Sequence, residues 1–332
     1  MSAVVVASLA LFSAAHWTPP SGGVWLFGVS GSTLSAYSVE LSYPSGSNVT
    51  SRWHIPLARE SSVAPTSLSM AQDSESGRLV IWHSIPGNST CALETVHVRA
   101  APASPKLAST WIVPSEFCVP SVKVLLDAFL SSSVFVLVGV PSPHGLSTTL
   151  LQLRGPGSGV GPARVSVVSS KMPLGVSWSG GAAIDSRFHN LHIVNTSLLS
   201  EDQNVVSVDL ISGDVSVEHR PIRRGGVNRL SALQFSTHGG SQQRVWAAAN
   251  YNTGPVGGTI AELDVSSSPW SVSRLTSCNL AYGEYHFDFA HETAYAGSPS
   301  WTDAFDVHHG NPQVGVIALQ GTWNYGTVFP LA

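Results

Sequence analysis

The sequence predicts an all-β fold, on three observations. Glycine and proline are plentiful, at 30 and 21 of the 332 residues, and turn-forming residues separate short apolar runs along the chain. The hydrophobic fraction is 43%, which is enough to bury a large core, whereas charged residues make up only 11%. A four-strand pattern also repeats along the chain. Together these observations predict a six-bladed β-propeller of four-stranded antiparallel blades, with a β-sandwich or β-helix as the runner-up.

The second strand of each unit is the clearest marker of the repeat. These strands begin at Val24, Leu79, Val134, Leu191, Arg244 and Thr293. The last apolar residue of the third strand keeps the same step, at Leu41, Val98, Leu153, Leu210, Val265 and Leu319. Because the two markers keep the same spacing along the chain, they predict one propeller domain over residues 1–332. Its blades are expected at about 8–57, 66–114, 121–170, 180–222, 230–277 and 284–329.

Several strands are nearly continuous apolar runs rather than alternations, above all VFVLVGV at Val134. Such runs are typical of strands covered on both faces, as in sheets packed around an axis. The register of the first unit predicts its first strand at Ser8–Ala14, and Asn324–Phe329 is predicted as the fourth strand of the sixth unit. The glycine-rich run at Gly155 is predicted to be a flexible hairpin loop.

The first fifteen residues have a second interpretation, as a signal peptide, although no basic residue precedes Arg52. The apolar run is too short to span a membrane. Three Asn-x-Ser/Thr sequons, at Asn48, Asn88 and Asn195, fall in or beside predicted loops. The protein is therefore secreted if residues 1–15 are a signal peptide, and otherwise cytoplasmic.

The three cysteines form no CxxC pair, so the sequence indicates neither a structural zinc site nor a disulfide framework. Cys91 and Cys118 lie in one unit and would be able to pair in an oxidising compartment. Isolated buried thiols are the favoured interpretation. Cys278 is single in either case.

The charge balance argues against one class of partner. The formal net charge is −4 and there are no runs of Lys or Arg, so nucleic-acid binding is not expected. The sequence also contains no nucleophile elbow, phosphate-binding loop or HExxH motif.

The fourth unit carries the most regular motifs. An apolar strand ending in Asp, a polar turn and an aliphatic strand form AAIDSRFHNLHIVN, from Ala182 to Asn195, and a second hairpin reads VVSVDLISGDV. This order resembles the blade signature of YVTN/NHL-type propellers. The resemblance implies a propeller architecture over nearly the whole chain, and other propellers of this shape support lactonase activity.

The turn aspartates recur at one place in the unit, at Asp73, Asp127, Asp185 and Asp288. A repeated Asp beside a turn is typical of a side chain that accepts hydrogen bonds from its own backbone. We therefore predict Asx turns here rather than a catalytic or metal site.

The sixth unit holds the main chemical candidates. Alternation places Glu284, His286 and Asp288 on one face of its first strand. The segment between its second and third strands is predicted to be the longest such loop, and it contains Trp301, Asp303, Asp306, His308 and His309. His286, Asp303 and His308 are weak candidates for a divalent metal site, and the alternative is a solvated polar loop.

Connectors between units are expected on the same face as that loop, and they contribute Trp178, Arg223, Arg224 and Arg229. Exposed Trp with Arg is typical of binding hot spots, whereas a Trp178 packed beneath its connector is the structural alternative. The sequence thus predicts a noncatalytic propeller that binds a protein, peptide or glycan through this face. The alternative is a lactonase-type hydrolase with a divalent metal at the channel mouth.

Overall fold

Strands dominate the part of the chain that the computed structural model describes. It describes residues 24–30, 33–42, 46–57, 68–73, 76–84, 90–98, 104–143, 145–176, 178, 181–196, 203–218, 227–236, 244–251, 258–266, 270–278, 284–289, 292–298, 301–307, 313–318 and 325–330. Within these ranges helical backbone is confined to a 3-10 turn at Ser115–Phe117 and to Trp178, which is also in 3-10 conformation. No helix in the described ranges is long and apolar enough to cross a membrane.

The described residues form 25 strands. In chain order these are β1 (Val24–Ser30), β2 (Thr33–Ser42), β3 (Gly46–Pro56), β4 (Leu68–Asp73), β5 (Arg78–Ser84), β6 (Cys91–His97), β7 (Lys106–Val113), β8 (Ser121–Leu125), β9 (Val134–Ser142), β10 (Gly145–Arg154), β11 (Gly159–Pro162), β12 (Arg164–Ser169), β13 (Ala182–Asp185), β14 (Asn190–Thr196), β15 (Gln203–Asp209), β16 (Val215–Glu218), β17 (Val227–Phe235), β18 (Val245–Tyr251), β19 (Gly258–Asp264), β20 (Ser271–Cys278), β21 (Glu284–Asp288), β22 (Thr293–Ser298), β23 (Trp301–Asp306), β24 (Gln313–Ala318) and β25 (Tyr325–Pro330).

These strands pair into six sheets, which we number along the chain. Sheet 1 has the order β25-β1-β2-β3, sheet 2 the order β4-β5-β6-β7-β11 and sheet 3 the order β8-β9-β10-β12. Sheets 4, 5 and 6 are β13 to β16, β17 to β20 and β21 to β24, each in sequence order. All neighbours pair antiparallel except β7 and β11. Apart from β25 in sheet 1 and β11 in sheet 2, the strands of each sheet follow one another in sequence and form a meander.

Apolar side chains on both faces of each sheet explain the continuous apolar runs. In β9, Phe135 and Leu137 pack toward sheet 4. Val134 and Val136, on the other face, pack toward sheet 2. All four side chains are buried. A strand covered on both faces has no position for a solvated polar residue, so the period-2 alternation disappears.

One apolar cluster fills each boundary from sheet 1 to sheet 6 in turn. Sheet 6 then contacts sheet 1 through β24 on β3 and through β21 and β22 on β25. The series of sheets is therefore closed, because the last sheet packs against the first. The predicted all-β class and the propeller arrangement of antiparallel sheets are confirmed.

Sheet 1 is completed by the last strand of the chain. β25 pairs with β1 from Val24 opposite Pro330 to Val29 opposite Tyr325, and β2 occupies the other edge of β1. The prediction that Asn324–Phe329 is the fourth strand of the sixth unit was therefore wrong, and both edges of β1 are occupied by other strands. Residues 8–14 themselves lie outside the described residues.

The sixth sheet differs from the prediction in a second way. Trp301–Asp306, predicted as part of a long loop, is the third strand β23, with Ser298 opposite Trp301 and Thr293 opposite Asp306. The segment predicted as the third strand, with Leu319 as its last apolar residue, contains β24 (Gln313–Ala318), which is the fourth strand of the sheet. The boundaries of the first and last units move accordingly.

The glycine-rich run of sheet 3 is not a free hairpin loop. Gly159–Pro162 forms β11, which pairs in parallel with the outer strand β7 of sheet 2. Gly155 lies so close to the Trp111 indole that a Cβ at this position would overlap the ring, so glycine is required there. The run therefore joins sheet 3 to the outer edge of sheet 2.

A disulfide joins Cys91, at the start of β6, to Cys118, which follows the 3-10 turn, with Cα atoms 5.5 Å apart. The interpretation of these residues as isolated thiols was wrong. The bridge fixes the connection from sheet 2 to sheet 3, and it closes a loop across a sequence separation of 27 residues.

We expect Cys91→Ser to lower the free energy of unfolding by about 3.5 kcal/mol, because the bridge restricts the unfolded chain over this loop length. Urea denaturation with and without reductant measures the effect. Cys278→Ser, which keeps the bridge, should retain the wild-type dependence on reductant. A midpoint of wild-type protein that does not move on reduction would contradict the prediction.

Candidate functional site

The turns between first and second strands are built on the repeated aspartates. Asp127 Oδ1 accepts hydrogen bonds from the backbone N–H groups of Phe129 and Leu130, at 2.8 and 3.1 Å. Asp185 Oδ1 accepts one from Arg187 N at 3.0 Å. Asp73 accepts from Ser76 in the same way. The predicted Asx turns are thereby confirmed at these three positions.

Turns between third and fourth strands use the same device at Asp209 and Asp264. Because antiparallel strands return to the same end of a sheet, both kinds of turn lie together. We call the end of the sheets that carries the turns of Asp73, Asp127, Asp185, Asp209 and Asp264 the turn face. The opposite end, where strands enter from the preceding sheet, is the connector face.

A left-handed backbone position closes several of these turns. Gly77 has φ +63°, and the equivalent His189 and Glu292 have φ 53° and 50°. In each case the carbonyl oxygen accepts a hydrogen bond from the residue that follows the third strand: Val98, Leu210 and Val307, at 2.7, 2.8 and 2.9 Å. A non-glycine residue in this region costs about 1 kcal/mol of stability, so other contacts must hold the backbone of His189 and Glu292 in this conformation.

Contacts between neighbouring sheets hold His189 and Glu292 in the left-handed conformation. His189 Nδ1 lies 2.9 Å from Asp127 Oδ2 and so ties the turn of sheet 4 to that of sheet 3. Glu292 Oε1 accepts a hydrogen bond from Arg244 Nη1 at 2.8 Å, which ties sheet 6 to sheet 5. Both side chains offset their backbone strain by bridging neighbouring sheets.

Between sheets 4 and 5, by contrast, the turn face opens into a cleft of about 640 Å³. Its lining comes from the first turn of sheet 4 and from the turn ends of β17 to β20. The lining residues are Asp185, Arg187, Phe188, Asn190, His192, Phe235, Arg244, Glu262, Leu263, Asp264, Val265, Ser266, Trp270 and Ser273. We call this feature the cleft.

Three ring side chains form one wall of the cleft. His192 stacks on Phe235, with ring centroids 5.2 Å apart and an interplanar angle of 29°. Trp270 meets His192 edge-on at 5.2 Å. Phe235 and Trp270 are themselves buried in the apolar cluster between the two sheets, so the wall is held rigidly.

His192 is neutral in this environment. Desolvation lowers the pKa of its imidazole to about 4. Its Nδ1 is 2.7 Å from Ser207 Oγ, on the neighbouring strand β15. Nε2 has no hydrogen-bond partner among the described residues and is left for a ligand, as donor or acceptor according to the tautomer.

Arg244 is held by carboxylates at the edge of the cleft. Its Nε donates to Glu262 Oε1 at 3.0 Å, its Nη1 is bound by Glu292, and its guanidinium lies 4.7 Å from the Trp246 ring centroid. These partners neutralise the cation and fix its plane. Arg244 therefore shapes the cleft, and little of its charge remains available to an anionic ligand.

The rim carries exposed polar groups of both signs. Asp264 is exposed, and the hydroxyl and backbone N–H of Ser266 lower the pKa of its carboxyl. The Arg187 and Asn190 side chains have no hydrogen-bond partner among the described residues. Three carboxylates and two guanidinium groups line the cleft, so its net charge is −1 with His192 neutral. The cleft thus offers many donors and acceptors at nearly balanced charge.

A second buried imidazole lies where the first strands meet. The side-chain Nε2 of Gln72, on β4, is 2.5 and 2.7 Å from the two ring nitrogens of His286, on β21. Desolvation lowers the pKa of His286 to about 4, although the charge of Asp288 opposes the shift. Burial, together with Asp288, raises the pKa of the neighbouring Tyr295 hydroxyl.

These two histidines predict an acid-sensitive fold. Both have folded-state pKa values near 4, below the value of about 6.5 in an unfolded chain. The unfolded chain therefore binds more protons between pH 6.5 and 4, and stability falls as the pH is lowered through that window. Each of the two histidines should account for a loss of roughly 2 kcal/mol in the free energy of unfolding between pH 7 and pH 4.5.

Urea denaturation at pH 7 and pH 4.5 measures the loss. The double variant H192Q/H286Q should lose much less stability over this interval than the wild type. His97→Gln, a change at an exposed histidine, is the matched control and should keep the wild-type pH dependence. An equal loss in the double variant would contradict the prediction.

The structure places Trp178 on the connector face. It is half-buried, it packs against the apolar cluster between sheets 3 and 4, and its ring lies over Gly139. Arg229 is the third residue of β17, and Arg223 and Arg224 lie outside the described residues. A binding role for this group stays a prediction.

The residues expected in one loop of sheet 6 are divided between two ends of a strand. Trp301 begins β23 and Asp306 ends it, so their Cα atoms are about 16 Å apart along the strand. Trp301 therefore lies at the connector face and Asp306 at the turn face. His308 and His309 lie outside the described residues.

The weak metal candidates do not share a face of their sheet. His286 is opposite Tyr295, and Tyr295 is opposite Ala304, whereas Asp303 is opposite Ala296. Because successive residues alternate between faces, the positions of His286 and Asp303 belong to opposite faces of sheet 6. In the described ranges no three His, Cys, Asp or Glu side chains come together as a metal-binding group.

Sequence reasoning missed the cleft because its residues come from two units. Asp185 and His192 lie far along the chain from Glu262 and Trp270, and no motif links them. One signal was available: His192 is a polar residue inside the apolar run LHIV, which marks a polar position at a sheet boundary.

No protein-family model matches the sequence, and no curated protein is significantly similar to it. Solved structures are similar only in outline. A proposed 6-phosphogluconolactonase from Bacteroides fragilis has 7% identity over 93% of this chain and 98% of its own, with a TM-score of 0.49. A protein of unknown function from Desulfotomaculum acetoxidans has 14% identity over 89% of this chain and 79% of its own, with a TM-score of 0.47. Identities this low do not transfer an activity.

Proposed function

We propose that this protein is a noncatalytic six-bladed β-propeller, of the YVTN/NHL type that its fourth unit resembles, and that it binds a saccharide in the cleft. The ring of six sheets supports the blade count. The observation that carries the function is the cleft itself, with its rigid wall of rings facing a polar rim.

The size of the cleft favours a small or narrow ligand. Sites for small molecules are typically concavities of about 300–1,000 Å³, and the cleft of about 640 Å³ falls in that range. A protein partner typically covers about 800 Å² of fairly flat surface on each side. A globular partner would reach the rim but not the ring wall.

The chemistry of the lining favours a neutral ligand rich in hydroxyl groups. A sugar ring has an apolar C–H face, which fits against an aromatic wall, and a hydroxyl edge that both donates and accepts hydrogen bonds. Asn190, Asp264 and the free Nε2 of His192 supply matching groups. A phosphorylated ligand fits less well, because Arg244 is already neutralised by two carboxylates.

The disulfide bears on where the protein works. Disulfides of this kind form and persist in oxidising compartments. Together with the three sequons, the bridge favours secretion, where glycans are abundant. We therefore infer an extracellular or secretory-pathway setting.

The lactonase-type alternative stays a prediction. His308 lies outside the described residues, and Asp303 lies within strand β23. Stoichiometric zinc or calcium in the purified protein, lost on His308→Ala, would support a divalent metal and overturn the noncatalytic proposal.

A panel of neutral oligosaccharides tests the proposal. The cello-, xylo-, manno-, laminari- and chito-oligosaccharides, each from one to six units, are titrated against the protein by calorimetry. We expect at least one series to bind with a stoichiometry of one. Failure of every series, with capture of a protein or peptide ligand instead, would overturn it.

A further inference from the structure

Two strongly exposed phenylalanines lie on adjacent turns beside the cleft. Phe188, in the first turn of sheet 4, is 64% exposed and lines the mouth of the cleft. Phe129, in the corresponding turn of sheet 3, is 65% exposed. No other phenylalanine, tyrosine or tryptophan is among the exposed large hydrophobic side chains of the described residues.

The fold does not require an aromatic residue at these places. In sheet 2 the equivalent of Phe188 is Ser76, and that turn has the same aspartate and the same left-handed position at Gly77. Leaving a phenyl ring in water forgoes the free energy that its burial in the core would contribute. A role outside the folded core therefore accounts better for both rings.

The turns that carry them are held rigidly. Asp127 fixes the backbone of Phe129, and Ser186 Oγ accepts a hydrogen bond from Ala128 N at 2.9 Å across the boundary between sheets. Phe129 meets the His189 ring edge-on, with centroids 6.4 Å apart. Rings on fixed turns lose little entropy when a ligand covers them.

We infer that the ligand is a saccharide chain rather than a single sugar, and that Phe188 and Phe129 each hold a further ring outside the cleft. This inference rests on the proposed saccharide site. The chain would leave the ring wall of the cleft, pass over Phe188 and reach Phe129 on sheet 3. The protein would then bind a stretch of several linked sugar units within a polymer more tightly than a single terminal unit.

Length dependence of affinity tests the inference. Within the series that binds, we expect the trimer to bind at least tenfold more tightly than the monomer, because stacking on one aromatic ring contributes about 1 kcal/mol and two rings are covered. In Phe129→Ala the ratio of trimer to monomer affinity should fall by about fivefold.

Leu174→Ala is the matched control, since Leu174 is 64% exposed but lies in the connection after β12. It should keep the wild-type ratio. Equal affinity for all lengths, or a ratio unaltered by Phe129→Ala, would overturn the inference while leaving the proposed function intact. Absence of binding at every length would count against the proposed function itself.

Discussion

Removal of residues 325–332 is expected to abolish cooperative unfolding. These residues include β25, which pairs with β1 along six positions and contacts sheets 2 and 6. Without β25, sheet 1 loses its first strand and the chain of packed sheets loses its closure. The free energy lost should be comparable to the whole stability of a domain, about 5–15 kcal/mol. Tryptophan fluorescence during urea denaturation measures it.

Removal of residues 1–15 is the matched control. The edge of β1 that Ser8–Ala14 would need is occupied by β25, so this truncation should leave the free energy of unfolding within about 0.5 kcal/mol of that of the full chain. Cooperative unfolding of the C-terminal truncation, or a large destabilisation of the N-terminal one, would show that the ring is closed differently.

Blocking the cleft is expected to eliminate saccharide binding. Ser273 is exposed and lines the cleft from β20, and its hydroxyl donates only to the backbone oxygen of Glu262, at 3.0 Å. In Ser273→Trp the indole would occupy the space in front of Trp270. We expect affinity for the best oligosaccharide to fall at least 100-fold, because the ring wall is no longer accessible.

Ser166→Trp provides the comparison. Ser166 is an exposed serine on β12, the outer strand of sheet 3, and its hydroxyl likewise donates to a backbone oxygen across the strand pair, that of Gln152, at 3.3 Å; it does not line the cleft. Both variants should have wild-type denaturation midpoints, and Ser166→Trp should bind normally. Undiminished binding by Ser273→Trp would place the ligand elsewhere on the molecule.

The series of antiparallel sheets was predictable because most strands of each sheet are neighbours in sequence. Second strands such as VWLFGV at Val24 are buried on both faces, so their apolar runs stand out in the sequence. The turn aspartates were predictable for the same reason, since Asp127 and Asp185 act within their own turns.

The pairing of β25 with β1 was not predictable from the repeat. Ser8–Ala14 and Tyr325–Pro330 are both short apolar segments in phase with it, and the choice between them depends on contacts between the ends of the chain. β23 was missed because its sequence, WTDAFD, places carboxylates within a paired strand and follows the turn-like segment SPS.

The cleft was beyond sequence reasoning for a geometric reason. Its ring wall joins His192 of one sheet to Phe235 and Trp270 of the next, and only the packing of the sheets brings them within 5.2 Å of His192. The interpretation of the sixth unit as the place of function relied on a loop that is a strand. The candidate site lies instead in the cleft, where sheets 4 and 5 separate at the turn face.

A crystal structure of the protein with the tightest-binding oligosaccharide is the sharpest test of the saccharide site. We expect a sugar ring against Trp270 and His192, hydrogen-bonded to Asn190 or Asp264, with the next unit over Phe188. A saccharide bound at the connector face near Trp178, or beside His286, with the cleft empty, would contradict it.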